Sequence, residues 1–99
     1  MVHRGRIQAQ GGGVEKSVSW SRETPPTKKE GLNMINTLEN QLSPSDAKIR
    51  AKAFEKARSF VNKAANNGGV DAQVSKSFRV KETKDVRVDI EVIIGKAFI

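Results

Sequence analysis

Four lysines carry the most legible chemistry in this chain. Lys48, Lys52, Lys56 and Lys63 recur at spacings of four, four and seven residues. On a helix those spacings share one side, with Arg50 and Arg58 as flanking charges. Such a row can track a phosphate backbone, each contact adding to the salt dependence of binding. A solvated helix face is the plainer alternative. Glu55 and Asp46 are the only acids in that stretch, so local neutralisation is incomplete.

Other chemistries have thinner support. Asp89 and Glu91 stand two apart in an alternating run, so on a strand they share a face about 7 Å apart. Paired carboxylates suit acid/base work, but Arg6, Arg79 and Arg87 are available to pair with them across strands. His3 is the only histidine, near a terminus expected to fray over residues 1–5. There is no cysteine, which removes disulfides, thiol catalysis and thiolate metal sites. A nucleophile would have to be a serine, and no serine has an evident activating base. Gly11-Gly12-Gly13 lacks the lysine and Ser/Thr of a phosphate-binding loop and precedes a strand where a helix is required. Trp20 alternates in phase with Val18 and belongs to the core. No catalytic residue, metal ligand or cofactor site is assigned.

The elements that must position these residues follow from periodicity. The stretch 86–94 alternates, with apolar residues at 86, 88, 90, 92 and 94 and charges at 87, 89 and 91, the mark of a half-buried strand. It continues to Gly95, a candidate bulge that re-aims Ala97, Phe98 and Ile99. Residues 6–10 and 16–21 alternate on either side of the glycines and read as a β-hairpin. Pro25-Pro26 ends the strand, and Thr27-Lys28-Lys29-Glu30 is a capping box opening a helix over 28–42, with Ile35, Leu38 and Leu42 on its apolar face. Ser43-Pro44-Ser45-Asp46 opens a second helix. Ala53, Phe54, Ala57, Phe60, Val61 and Ala64 form its buried face, and Asn66-Asn67-Gly68-Gly69 ends it. Residues 70–80 return to strand, with Lys76 out of pattern on the apolar face, so that it either snorkels at an edge or marks a bulge. A turn at 82–85 leads into the final strand and places Phe78 near Val88 and Ser77 near Asp89.

The resulting order is ββααββ. It predicts an α+β fold, a four-stranded antiparallel sheet with a helical hairpin packed on one face. The other face would present Gln8, Gln10, Ser17, Ser19, Ser75, Ser77, Arg79, Arg87, Asp89 and Glu91. Ninety-nine residues make one small basic domain, residues 1–99. A net charge of +7 and a pI near 10.1 fit a domain that uses lysine for solubility slightly better than one with a polyanionic partner, nucleic acid or an acidic protein. The sequence carries neither an export signal nor an apolar run of membrane-spanning length, so a cytoplasmic protein without a membrane partner is expected. Ile93, Phe98 and Ile99 exceed what one sheet face needs, which points to a homodimer.

The runs Arg6-Ile7-Gln8-Ala9-Gln10-Gly11, Ser17-Val18-Ser19-Trp20-Ser21, Pro25-Pro26-Thr27-Lys28 and Arg87-Val88-Asp89-Ile90-Glu91-Val92 resemble a family of small uncharacterised proteins found mainly in cyanobacteria. The likeness spans nearly the whole chain, carries no known activity and implies no site residues. A looser architectural likeness is to the RelE-like ribonuclease toxins, small basic domains with helices followed by an antiparallel sheet. The leading hairpin and the absence of tyrosine depart from that pattern.

Three functions remain. The first is a non-enzymatic binding module using Lys48, Lys52, Lys56 and Lys63, with Arg50 and Arg58, for nucleic acid or an acidic protein. The second is a small toxin-type ribonuclease using Arg79, Arg87, Asp89 and Glu91. The third is a structural or interaction protein whose charge serves solubility. The balance favours a non-enzyme.

Overall fold

The alternating run near the end of the chain forms the strand on which the fold is assembled. In a computed structural model, which describes residues 1–42, 47–80 and 83–99, that strand is β5 (Thr83–Ile94). It turns Val86, Val88, Ile90 and Val92 inward, and the last three are fully buried. Side chains of this kind each contribute about 1.5–3 kcal/mol when removed from water. β1 (His3–Gly11) flanks β5 on one side and β4 (Val74–Val80) on the other, with β2 (Val14–Arg22) outside β1. The sheet is four-stranded, ordered β2-β1-β5-β4 and antiparallel throughout, as the sequence predicts.

β1 and β2 meet around Gly12 and Gly13, which stand at φ 59° and 78°. A two-residue turn with both central φ angles positive matches the twist of paired strands, and glycine adopts it without strain. Ile7 and Ala9 face inward and are fully buried, and Trp20 is buried beside them. Trp20 lies over Gly5, where any side chain would overlap its ring.

Helices α1 (Lys28–Gln41) and α2 (Ala47–Asn66) cover the inner face, α1 over β1 and β2, α2 over β4 and β5. The order ββααββ is therefore observed. The predicted capping box is present: the Thr27 hydroxyl accepts from the Glu30 amide and the Glu30 carboxylate accepts from the Thr27 amide. Arg22 reaches the same carboxylate at 2.6 Å. The hydrogen bond from Arg22, reinforced by the Thr27 amide, holds the Glu30 carboxyl below its ordinary pKa. The helices run antiparallel, since Arg50 meets Leu42, Arg58 meets Asn36 and Glu39, and Val61 lies against Gly31. The expected opening of α2 at Ser43, Pro44 and Asp46 lies outside the described residues. No described helix is long and apolar enough to cross a membrane.

The structure differs from expectation in four places. The N-terminal segment does not fray from residue 3: His3, Arg4 and Gly5 are paired in β1, and the His3 Nδ1 accepts from the Lys96 amide at 2.8 Å. The strand expected over 70–80 is split. β3 (Val70–Asp71) pairs with β6 (Lys96–Ala97) as a separate two-stranded sheet. Gln73, at φ 68°, turns the chain into β4. β5 begins at Thr83, inside the segment expected to turn, although Phe78 does pair with Val88 and Ser77 with Asp89. Finally, Gly95 at φ 77° re-aims the chain so that Phe98 enters the core rather than the surface. There it packs edge-on against Trp20 with ring centroids 5.7 Å apart. That burial withdraws Phe98 from the apolar surface invoked for a dimer, leaving Ile93, Ile94 and Ile99 exposed.

Candidate functional site

The outer margin of the sheet decides where the charges of α2 are displayed. β4 is an edge strand, with no described strand beyond it, and α2 packs along it. Phe60 of α2 and Phe78 of β4 meet there, their ring centroids 5.6 Å apart at 51°. Both are only partly buried. Two adjoining clefts open at this seam. One, of about 330 Å³, is lined by Lys56, Ser59, Phe60, Lys63 and Phe78. The other, of about 380 Å³, shares Phe60 and Lys63 and extends to Ala64, Val70, Val74 and Lys76.

The predicted lysines divide along the helix. Lys56 and Lys63 are exposed and rim the clefts. Lys56 Nζ also donates to the Arg79 carbonyl at 3.0 Å, which occupies a backbone acceptor at the sheet edge. Lys48 and Lys52 are exposed on the preceding turns, and each makes a contact within the chain. Arg50 and Arg58 do not flank this row. Arg50 donates to the Leu42 carbonyl at 3.1 Å, closing the C-terminal end of α1. Arg58 donates to the exposed Asn36 at 2.9 Å and pairs with the half-buried Glu39 at 3.0 Å. These two arginines join the helices, because their helical angle turns them toward α1 and the carbonyl and carboxylate it offers.

Lys76, out of pattern in the sequence, completes the rim from the opposite wall. It is exposed and pairs with Ile90 without a register shift, so edge position and not a bulge accounts for it. The ladder's irregularity falls later, between Arg79 and Val80. Among the described residues, Lys63 and Lys76 have no acidic partner. Five of the chain's eleven acids are held in ion pairs elsewhere: Glu30 with Arg22, Glu39 with Arg58, Asp71 with Lys96, Asp89 with Arg87 and Glu91 with Arg6.

The open sheet face is polar and largely self-neutralised. Rows run Ser77-Asp89-Gln8-Ser17 and Ser75-Glu91-Arg6-Ser19 across the four strands. Arg87 binds Asp89 at 2.8 Å and reaches Gln10 at 3.4 Å, and Arg6 approaches Glu91 at 3.8 Å. The two carboxylates are therefore held by arginines. Arg79 is exposed at the edge. Among the described residues no three His, Cys, Asp or Glu side chains are grouped to hold a metal ion.

Periodicity assigned Phe60 and Phe78 to the core, and their juncture at an open seam depends on β4 being outermost, which no local pattern encodes. Lys76 was the one available signal. Comparisons with protein families, with curated proteins and with solved structures find no match, so they test neither likeness noted in the sequence.

Proposed function

We propose that the protein is a non-enzymatic binding module whose lysine face on α2 and β4 holds the phosphates of a nucleic acid. One observation carries this reading. Lys56, Lys63 and Lys76 rim two adjoining clefts along the seam at the sheet edge, and none of them takes part in the ion pairs found among the described residues. The choice of a nucleic acid rests on spacing: a row of lysines along one helix can follow successive phosphates. Arginine forks match carboxylate and phosphate in two-point pairs, whereas lysine binds either anion as a mobile point charge. In this chain Arg6, Arg22, Arg58 and Arg87 hold carboxylates, and the outward row is lysine.

Lys48 and Lys52 lie exposed on the preceding turns of α2, each with a contact inside the chain. The test is charge reversal. Lys63→Glu with Lys76→Glu should abolish binding of a labelled oligonucleotide at moderate salt while leaving the unfolding transition in place, since both side chains are exposed. Undiminished binding by the folded double variant would refute the reading.

A further inference from the structure

Aromatic side chains are scarce in this chain: one tryptophan, four phenylalanines and no tyrosine. Trp20, Phe54 and Phe98 are spent on the core, at 6%, 0% and 0% exposure. The remaining two, Phe60 and Phe78, touch each other at the α2–β4 seam and form the floor shared with the lysine rim. A solvated cationic face needs no aromatic floor. Phosphate contacts alone need none either, since a duplex presents its backbone outward and keeps its bases stacked inside.

A single strand differs, because its bases are free to leave the stack and lie on aromatic side chains while the backbone follows a cationic groove. We propose that the cleft between α2 and β4 receives an unpaired nucleobase of a single-stranded nucleic acid, stacked on Phe60 and Phe78, with Lys56, Lys63 and Lys76 against the adjoining phosphates. The cleft walls suit this. Ala64, Val70 and Val74 are apolar, and the acidic residue at the rim, Asp71, lies 3.7 Å from Lys96 in an ion pair. Stacking accepts any base, so the site selects strandedness rather than sequence. The Lys56 bond to the Arg79 carbonyl occupies the sheet edge at this point, which disfavours the alternative of an added β-strand.

This inference rests on the lysine face binding nucleic acid, and its test separates the two. Fluorescence anisotropy on the full chain would compare a short labelled single strand, as DNA and as RNA, with its duplex and with the same backbone carrying abasic sites. Polyglutamate would be the competing polyanion. The single strand should bind more tightly than duplex, and abasic sites should weaken it about 5- to 150-fold without changing the salt slope. Phe60→Leu and Phe78→Leu, which keep an apolar side chain at the seam, should produce the same loss. The comparison of abasic with intact strand uses unaltered protein and stands even if a variant fails to fold. Equal affinity for abasic and intact strands would overturn the stacking site and leave the lysine face standing. Absence of salt-dependent binding to every strand, or preference for polyglutamate, would overturn both.

Discussion

Gly31 sits in the first turn of α1, where helix propensity alone recommends alanine. Replacing an exposed helical glycine by alanine gains about 1 kcal/mol. Here a methyl group would lie 2.5 Å from Phe98 Cδ1 and 2.7 Å from Cε1, with Val61 Cγ1 at 3.2 Å. The ring has no room to recede. It is fully buried against Trp20, and its backbone stands at φ 62°, in the left-handed region. The Phe98 amide donates to the Pro26 carbonyl at 2.7 Å, and the Ile99 carbonyl accepts from Lys28 at 2.9 Å. Overpacking a closed site costs about 1–3 kcal/mol. Because the ring is clamped on every side, the upper part of that range applies, and Gly31→Ala should destabilise by about 1–2 kcal/mol net of its propensity gain. In a domain of this size that lowers the Tm by roughly 4–16 °C. Urea unfolding followed by Trp20 emission reads it directly, since Trp20 touches Phe98. Combining Gly31→Ala with Phe98→Leu removes the obstructing ring, so the alanine should then cost nothing or stabilise. A stabilising Gly31→Ala in the parent chain, or the same penalty in both backgrounds, would refute this account of the tail.

Gly5→Ala should be worse, because the new methyl meets both the Trp20 ring and the Glu91 carbonyl, and backbone cannot yield as a side chain does; thermal unfolding should show a larger fall than for Gly31→Ala. Arg58→Ala strands a half-buried Glu39 and should cost about 1–3 kcal/mol while leaving the salt slope of nucleic-acid binding unchanged, separating its role from that of Lys63. Glu30 titrates at a lower pH folded than unfolded. Between those two values the unfolded chain binds the extra proton, so the stability Glu30 contributes is complete above the ordinary glutamate range and lost as pH falls through its folded value. Denaturation midpoints measured on acidification should therefore drop less steeply in Glu30→Gln than in the parent chain.

Much of the fold is legible because it is locally encoded. The period-two run of β5, the Thr27–Glu30 capping box and the apolar stripe Ala53-Phe54-Ala57-Val61 each announce their element, and the glycine turn fixes the first hairpin. What escapes is set by distant partners. β3 and β6 are two residues each and exist only through one another. The placement of β1 beside β5 joins segments far apart in the chain and leaves β4 at the margin. The tail is illegible for a related reason: Gly95 signals a change of direction, but only Gly31 in α1 and Trp20 in β2 make room for Phe98. At the site, four-residue spacing located the lysines. It could not distinguish Lys56 at the open seam from Arg58 at the α1 contact, because both lie at the borders of the same buried face.

The central claim concerns phosphate contacts at the α2–β4 seam, and the dependence of affinity on salt tests it most directly. Each lysine–phosphate contact to a single strand contributes about −0.7 to the slope of log affinity against log salt. Lys56, Lys63 and Lys76 together predict a slope of about −2 or steeper, reduced in Lys63→Glu with Lys76→Glu. A flat dependence, or a slope unchanged in that variant, would contradict the account.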